Sequence, residues 1–203
     1  MHTEVVTIGL GYIGLPTSAL IASSGTRVVG VDINKEVVDT INKGEIHIVE
    51  PDLDKVVLDV VSNGFFKART KPVPAKVYLI VVPTPFKGDN KPDISFVITA
   101  TNSIIPFLKE DDLYIIESTS PVGTTEKMEE LIYKSRPDLK NKISVAYCPE
   151  RVLPGNVMYE LVENDRVIGG VNEKSTKEAI NFYKKYVKGD CMGLILEQLK
   201  CVN

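Results

Sequence analysis

The sequence predicts an α/β fold that is doubly wound, with a mostly parallel sheet and helices on both of its faces. Short apolar runs rich in β-branched residues alternate with helix-compatible stretches along most of the chain. These runs are apolar throughout, which is typical of strands buried on both faces. A glycine-rich segment at residues 9–14 joins the first run to the first helix. The connections between the parallel strands are expected to be right-handed crossovers.

The individual elements follow from these runs and from the residues that end them. The first strand stops at glycines, and the first helix ends at a Ser-Ser-Gly sequence. Asp32 closes the second strand, whereas Pro83 and Pro149 follow later ones. The predicted strands are residues 5–8, 28–31, 77–82, 113–116, 143–147 and 166–168. The predicted helices are residues 15–22, 35–42, 52–61, 95–108, 125–133 and 174–187.

Length and composition exclude several classes of protein. The chain has 203 residues, 43% hydrophobic and 25% charged, with a formal net charge of −3. This profile is that of a folded globular domain with no basic surface for nucleic acid. No apolar run reaches the length of a membrane span, and the N-terminus does not resemble a signal peptide. Three scattered cysteines, Cys148, Cys191 and Cys201, predict neither a disulfide framework nor a zinc site, so a cytoplasmic location is expected.

The glycine-rich segment is the strongest motif. Gly9, Gly11 and Gly14 match the pattern Gly-x-Gly-x-x-Gly between a strand and a helix, which is the context of a Rossmann-like dinucleotide site. Gly9 is expected to allow the tight turn, Gly11 the approach of a diphosphate, and Gly14 the close packing of the helix on the strand. Free N–H groups at the start of that helix would meet the phosphates.

Asp32 supports the same interpretation. It ends the next strand, 18 residues after Gly14, where an acidic side chain can bind ribose hydroxyls. Because a carboxylate there repels a 2′-phosphate, the predicted cofactor is NAD rather than NADP. The alternative is a glycine-rich turn without a ligand, with Asp32 as a plain helix cap.

Three later loops follow predicted strands, and the carboxyl ends of such strands form the ligand crevice of an open sheet. Thr84 lies in a Pro-Thr-Pro sequence that is either a ligand contact or only a stiff turn. Residues 117–125 carry five hydroxyls and one carboxylate, which suit a ribose, a phosphate or a water, or alternatively a helix cap. Glu150 and Arg151 follow residues 143–147; Arg151 can bind a phosphate, or the two form a surface ion pair of little energetic value.

Several blocks in this order resemble the UDP-glucose/GDP-mannose dehydrogenase family. They are GLGYIGLP, VDIN, INKGEIHIVEPDL, VPTPFKGD, ESTSPVGTTEKM and AYCPERVLPG, and the match runs from about residue 4 to residue 190. The resemblance implies oxidation of the C6 alcohol of a UDP-sugar to a carboxylate with reduction of two NAD. The CPERVLPG block is similar to the corresponding segment in one branch of the family. That branch acts on UDP-N-acetyl-D-mannosamine in the synthesis of bacterial surface polysaccharides. Full-length relatives are expected to be homodimers.

The same motifs imply roles for individual residues. NAD would contact the glycine-rich turn and the side chains that share its motifs, namely Gly9, Gly11, Tyr12, Ile13, Gly14, Asp32, Thr84 and Thr125. Arg151 and Val152 would contact the nucleotide sugar. Thr119 and Glu150 match positions linked to the catalytic water and the general base, and a carboxylate can activate water. The resemblance implies no metal and assigns no role to His47 or Glu50.

Part of the family pattern is absent from these 203 residues. The nucleophilic cysteine of the family lies in a Gly-Gly-His-Cys segment, and its catalytic lysine and asparagine lie on a long linking helix; neither segment occurs here. We therefore expect a domain over residues 1–190 that binds NAD without turnover, with no substrate domain. The rival functions are oxidation of UDP-glucose or GDP-mannose, and a non-catalytic nucleotide-binding module.

Residues 191–203 depart from the family and are interpreted as an aberrant tail. A single nucleotide string can encode both residues 193–203 and, in another frame, the family segment TNSRTAEMCK. The hypothesis is a frameshift near residue 192, which the nucleotide sequence of the gene tests. The alternative is a genuine short paralogue with a terminal helix.

Overall fold

A computed structural model describes residues 3–88 and 91–195 of the chain. The strands in these ranges are β1 (Val5–Ile8), β2 (Val28–Val31), β3 (Phe66–Arg69), β4 (Val77–Ile80), β5 (Phe86–Lys87), β6 (Lys91–Pro92), β7 (Leu113–Ile116), β8 (Ser144–Tyr147), β9 (Arg166–Gly170) and β10 (Cys191–Ile195). The α-helices are α1 (Gly14–Ser23), α2 (Lys35–Asn42), α3 (Leu53–Ser62), α4 (Ser95–Ile104), α5 (Thr124–Ser135), α6 (Val157–Glu163) and α7 (Glu173–Tyr183).

Eight of the strands form one mostly parallel sheet in the order β10-β9-β8-β7-β4-β1-β2-β3. All neighbouring pairs are parallel except β8 and β9. The order runs outward in both directions from β1, as a doubly wound sheet requires. The predicted fold class is therefore confirmed, and the carboxyl ends of β1, β2, β4, β7 and β8 lie at one edge.

The sheet is covered on both faces because successive side chains of each strand point to opposite sides. Residues such as Val5 and Ile115 join a core with α1, α3 and α7. Their sequence neighbours Val6 and Tyr114 join a second core with α4 and α5. Continuous apolar strands are thus explained by two apolar faces, as the sequence predicts.

Several elements differ from the predictions. The helix predicted to run to residue 108 ends at Ile104 and continues as a 3₁₀ turn over Ile105–Phe107, because Pro106 has no N–H to donate. Strand β3 and helix α6 were not predicted. β3 is an edge strand that buries only alternate residues, so it lacks the continuous apolar run of the central strands. The antiparallel pair of β5 and β6 was also not predicted.

The segment interpreted as a tail begins inside the sheet. Cys191–Ile195 is β10, which pairs in parallel with β9 from Cys191 opposite Arg166 to Ile195 opposite Gly170. A terminal helix is therefore not what these five residues form. The remainder, residues 196–203 including Cys201, lies outside the described residues.

Candidate functional site

The turn between β1 and α1 requires glycine at two positions. Gly9 has φ +97°, and a Cβ atom there would lie 2.2 Å from the carbonyl oxygen of Val81. A Cβ atom at Gly14 would lie 1.9 Å from the carbonyl oxygen of Gly9. No larger side chain fits these places without moving the backbone of β4 or of the turn itself. The two glycines thus bring the start of α1 directly against the ends of β1 and β4.

Gly11 has a different environment from these two glycines. A Cβ atom at Gly11 would have no heavy atom within 4 Å, and the residue is exposed. The backbone N–H groups of Gly11, Tyr12 and Ile13 find no acceptor among the described residues. Unpaired N–H groups at the start of a helix form a site for an anion such as a diphosphate. The cradle therefore fits the cofactor that the motif predicts.

Asp32 holds the glycine-rich turn through a hydrogen bond to its backbone. Its Oδ2 accepts a hydrogen bond from the N–H of Leu10 at 3.1 Å, and its Oδ1 accepts one from the N–H of Asn34 at 2.9 Å. The cap of α2 is Asn34, whose side chain accepts from the N–H of Glu36, so Asp32 is not the cap of that helix. The carboxylate is only half-buried, which leaves its remaining lone pairs available to a ribose.

The loops after β4 and β7 are joined by hydroxyl groups. Thr84 donates its hydroxyl to the carbonyl oxygen of Thr119 at 2.6 Å. Ser118 Oγ accepts from the N–H of Val82 at 2.9 Å and donates to the carbonyl oxygen of the same residue at 2.7 Å. These bonds hold the two strand ends together and leave Thr119 exposed beside them.

A cleft of about 340 Å³ lies at this edge of the sheet. It brings together eight of the residues predicted from sequence, namely Gly9, Gly11, Tyr12, Ile13, Asp32, Thr84, Thr119 and Glu150. Gly14 lies beneath the turn, against Gly9. The cleft is also lined by Glu117 and Ser118, to which the sequence assigned no individual role.

Three other predicted residues do not line this cleft. Thr125 is buried in the first turn of α5, with 4% of its surface exposed. Arg151 is exposed and lines an adjacent hollow beside Glu150. Val152 is half-buried in the same loop. Arg151 and Val152 thus lie beside the cleft, while Thr125 lies under the helix start next to it.

Glu150 has a partner that was not predicted. Arg166 Nη1 lies 2.5 Å from Glu150 Oε2, and both side chains are more than nine-tenths buried. The alternative of a surface ion pair between Glu150 and Arg151 is therefore wrong: Arg151 contributes only its backbone N–H, to Glu150 Oε1 at 3.0 Å. Arg166 also donates to the carbonyl oxygen of Leu161 at 3.1 Å. A buried guanidinium holds Glu150 at the rim of the cleft.

A second carboxylate, Glu117, lies in the same buried cluster. Its Oε1 accepts a hydrogen bond from the Tyr183 hydroxyl at 2.5 Å, and its Oε2 has no partner among the described residues. The pKa of Glu117 is raised to about 7, mainly by burial and also by the nearby Glu150, although the charge of Arg166 lowers it. Burial likewise raises the pKa of Cys148 to about 12, so this cysteine is a buried neutral thiol.

The segment before α3 connects the glycine-rich turn to the loop before α6. The hydroxyl of Tyr12 donates to the carbonyl oxygen of Val49 at 2.8 Å. The buried carboxylate of Glu50 accepts from the N–H of Gly155 at 2.9 Å and from that of Val157 at 2.6 Å. Glu50, which had no assigned role, therefore caps α6. An acidic side chain inside an apolar stretch was the only sequence signal that could have suggested such a contact.

Sequence reasoning missed Arg166 and Tyr183 because they belong to elements far along the chain from the motif loops. Neither residue lies in a recognisable motif, and only the packing of β9 and α7 on the sheet places them behind the cleft. Among the residues that the structure describes, no group of three or more histidine, cysteine or acidic side chains is arranged to hold a metal ion. In the same ranges, no helix is long and apolar enough to cross a membrane.

Comparisons with known proteins agree with this geometry. The model of the UDP-glucose/GDP-mannose dehydrogenase family, NAD binding domain, matches residues 3–187. The UDP-N-acetyl-D-mannosamine dehydrogenase of Yersinia pestis is 55% identical over 201 residues, which cover 95% of this chain and 48% of that protein. The NDP-N-acetyl-D-galactosaminuronic acid dehydrogenase of Ralstonia nicotianae is 50% identical over 196 residues, which cover 93% and 46%.

A solved structure shows the same fold. The UDP-D-ManNAc dehydrogenase from Pyrococcus horikoshii superposes with a TM-score of 0.87 and 41% identity, over 95% of this chain and 47% of that one. The chain thus spans about half the length of the relatives that it matches. With its glycine-rich cradle, its acidic residue after β2 and these matches, the chain belongs to the UDP-glucose/GDP-mannose dehydrogenase family and corresponds to the NAD-binding domain of that family.

Proposed function

We propose that this chain binds NAD in the cleft and serves the oxidation of the C6 alcohol of UDP-N-acetyl-D-mannosamine to a carboxylate. The observation that carries the proposal is the cleft itself, where the unpaired N–H groups of the β1–α1 turn, Asp32 and the carboxylate of Glu150 lie together. The N–H groups would bind the diphosphate and Asp32 the adenosine ribose. When bound, NAD supplies the acceptor for the hydride in each oxidation step.

The opposite end of the cleft supplies the acid–base groups of this proposal. Glu150 is paired with Arg166 and lines the cleft, so an ionised carboxylate there can take a proton from a water molecule. Thr119 is exposed beside it and can orient that water with its hydroxyl. Thr125 is buried at the start of α5 and does not line the cleft, so its predicted contact with NAD is left out of this proposal.

Arg151 and Val152 are proposed to contact the nucleotide sugar. Arg151 is exposed in the hollow next to the cleft, and its planar guanidinium suits a diphosphate. The names of the relatives support an N-acetylated sugar: one is a UDP-N-acetyl-D-mannosamine dehydrogenase and another an NDP-N-acetyl-D-galactosaminuronic acid dehydrogenase. The second name makes an N-acetylgalactosamine-type sugar nucleotide the second candidate. The proposed setting is cytoplasmic synthesis of a bacterial surface polysaccharide, by a homodimer.

Calorimetry of the 203-residue chain tests the cofactor part of the proposal. We expect NAD to bind and NADP to bind more weakly, because the 2′-phosphate would meet the carboxylate of Asp32. Asp32→Asn should reduce that preference. No binding of NAD, or equal binding of the two cofactors, would contradict the proposal.

The substrate part is tested by titrating UDP-N-acetyl-D-mannosamine into the NAD complex, beside UDP-glucose and GDP-mannose. Binding of the first sugar nucleotide alone, weakened by Arg151→Met, is the expected result.

A further inference from the structure

Two carboxylates and one guanidinium form a buried cluster behind the cleft. Glu117 is 2% exposed, and the side chains of Glu150 and Arg166 are 7% and 6% exposed. Arg166 is bound to Glu150, with Nη1 and Oε2 2.5 Å apart. Because both carboxylates line the cleft while one guanidinium serves them, full ionisation leaves one excess negative charge in a buried place.

Glu117 is the member of the cluster without a cationic hydrogen-bond partner. The groups that face it are Arg166 on β9, Glu150 after β8, Cys148 at the end of β8 and Tyr183 on α7. Burial keeps the Cys148 thiol and the Tyr183 hydroxyl neutral, since it raises the pKa of both groups. Tyr183 donates to Oε1 of Glu117, and Oε2 is left buried without a partner among the described residues.

One proton neutralises this excess charge. A proton on the unpartnered Oε2 of Glu117 gives the cluster a net charge of zero, which a poorly solvated site favours. The same balance raises the pKa of Glu117 to about 7, mainly through burial and further through Glu150. Because this pKa lies near neutral pH, the gain or loss of one charge in the cleft is sufficient to change the protonation state of Glu117.

The topology indicates which charge changes. If the diphosphate lies on the β1–α1 turn and the adenosine ribose at Asp32, the other half of the dinucleotide extends past β4 towards the ends of β7 and β8, where Glu117 lies. The nicotinamide ring is cationic in NAD⁺ and neutral in NADH. An ionised carboxylate is stabilised by the first and not by the second.

We propose that Glu117 is an acid–base group of the cleft that releases its proton to solvent when the cationic nicotinamide of NAD⁺ binds, and regains it when neutral NADH replaces NAD⁺. This inference rests on the proposed binding of NAD. It adds to the cleft a second carboxylate beside Glu150, with a role in discriminating the two redox states of the cofactor.

Calorimetric titration of the 203-residue chain with NAD⁺ and with NADH, at pH values from 6 to 8, tests the inference. The affinity for NAD⁺ should rise about tenfold over this range, because the ionised carboxylate attracts the ring, while the affinity for NADH should change little. Titration of NAD⁺ at pH 7 in buffers of different ionisation enthalpy should show release of a proton. Equal pH dependence for the two cofactors would overturn the inference.

Two variants assign the effect to Glu117. Glu117→Gln keeps the acceptor for Tyr183 and should abolish the pH dependence of NAD⁺ binding. Tyr183→Phe removes a bond that favours the ionised carboxylate, so the rise in NAD⁺ affinity should move to higher pH. A wild-type profile in either variant would overturn the assignment.

A matched control is available in a second tyrosine–carboxylate pair. Tyr133 donates to Glu129 Oε1 at 3.0 Å on α5, away from the cleft, and burial raises the pKa of Glu129 as well. Glu129→Gln should keep the wild-type profile, and loss of the pH dependence in this control would overturn the inference. Failure of the wild-type chain to bind either cofactor would instead overturn the proposed function, so the two failures are distinguishable.

Discussion

The two ends of the cleft present different chemical groups: backbone groups at one end and ionisable side chains at the other. At the β1–α1 end the ligand surface is backbone, with glycines whose neighbours leave no room for a Cβ and with N–H groups that have no acceptor among the described residues. At the β7–β8 end the surface is made by buried ionisable side chains. There Glu117 meets Tyr183, 66 residues away in sequence, and Glu150 meets Arg166, 16 residues away.

Because of this difference, substitutions at the two ends of the cleft should have different effects. The backbone end depends on the absence of side chains, so substitutions there should act through steric overlap or through the ligand alone. The side-chain end depends on a balance of charges in a poorly solvated place, so substitutions there should act through unpaired charge and through pH. Each of the following changes tests one part of that comparison.

Arg166→Met should have the largest effect on stability. It should lower the free energy of unfolding by about 3 to 5 kcal/mol, because it leaves two buried carboxylates without their guanidinium. Urea unfolding at pH 7 measures this. Arg151→Met, which removes an exposed guanidinium next to the same cleft, should change the free energy of unfolding by less than about 0.5 kcal/mol. Equal losses in both variants would show that the buried pair is no more important than a surface arginine.

Glu117→Gln should change how stability depends on pH. The folded state keeps a proton on Glu117 up to about pH 7, whereas the unfolded chain releases it near the ordinary value of 4.5. The stabilisation is therefore complete below pH 4.5 and lost as pH rises to 7, which amounts to about 3 kcal/mol. The variant should thus gain stability relative to wild type across this window, in urea unfolding at a series of pH values. Parallel profiles would contradict the raised pKa, and exposed Glu45→Gln should give them.

Gly9→Ala should destabilise the chain by about 2 kcal/mol, because the new methyl group meets the carbonyl of Val81 in a left-handed turn. Gly64→Ala is the matched control. Gly64 has φ +73° but open space around the position of a Cβ, so only the conformational cost of about 1 kcal/mol applies. Thermal and urea unfolding of both variants measure the difference. A larger loss for Gly64→Ala would contradict the steric explanation.

Glu50→Gln should lower the free energy of unfolding by about 1 kcal/mol, because a neutral amide caps α6 less well than a carboxylate with two N–H donors. Hydrogen exchange of the Gly155 and Val157 amides should accelerate locally. Exposed Glu45→Gln again serves as the control. Unchanged exchange at both amides would show that Glu50 does not hold this loop.

Gly11→Val should have the smallest effect on stability and a large effect on the ligand. The position has open space, so the free energy of unfolding should stay within about 0.5 kcal/mol of wild type. The affinity for NAD should fall at least about tenfold, because the side chain occupies the place where the diphosphate approaches the backbone. Calorimetry and urea unfolding give the two values. Unchanged affinity would place the diphosphate elsewhere.

Much of the fold could be predicted from the sequence because a strand that is buried on both faces appears as a continuous run of apolar residues. The strands β1, β2 and β7 were placed at their observed bounds, since each is a continuous apolar run with a clear end. β3 was missed because Lys67 and Arg69 face solvent at the edge of the sheet. The short helix α6 was missed because its start depends on the cap from Glu50, more than 100 residues earlier.

The glycine-rich turn, Asp32 and the strand ends were determined by the sequence itself, because a turn without room for a Cβ and a strand buried on both faces each demand particular residues at adjacent positions. Tertiary structure alone decided that Arg166 rather than Arg151 binds Glu150, and that Glu117 is buried near the same guanidinium. The physical reason is that the strength of a charge interaction depends on burial and on distance in space. The burial of these charges and the distances between them are fixed only when β9 joins the sheet beside β8 and α7 packs against it.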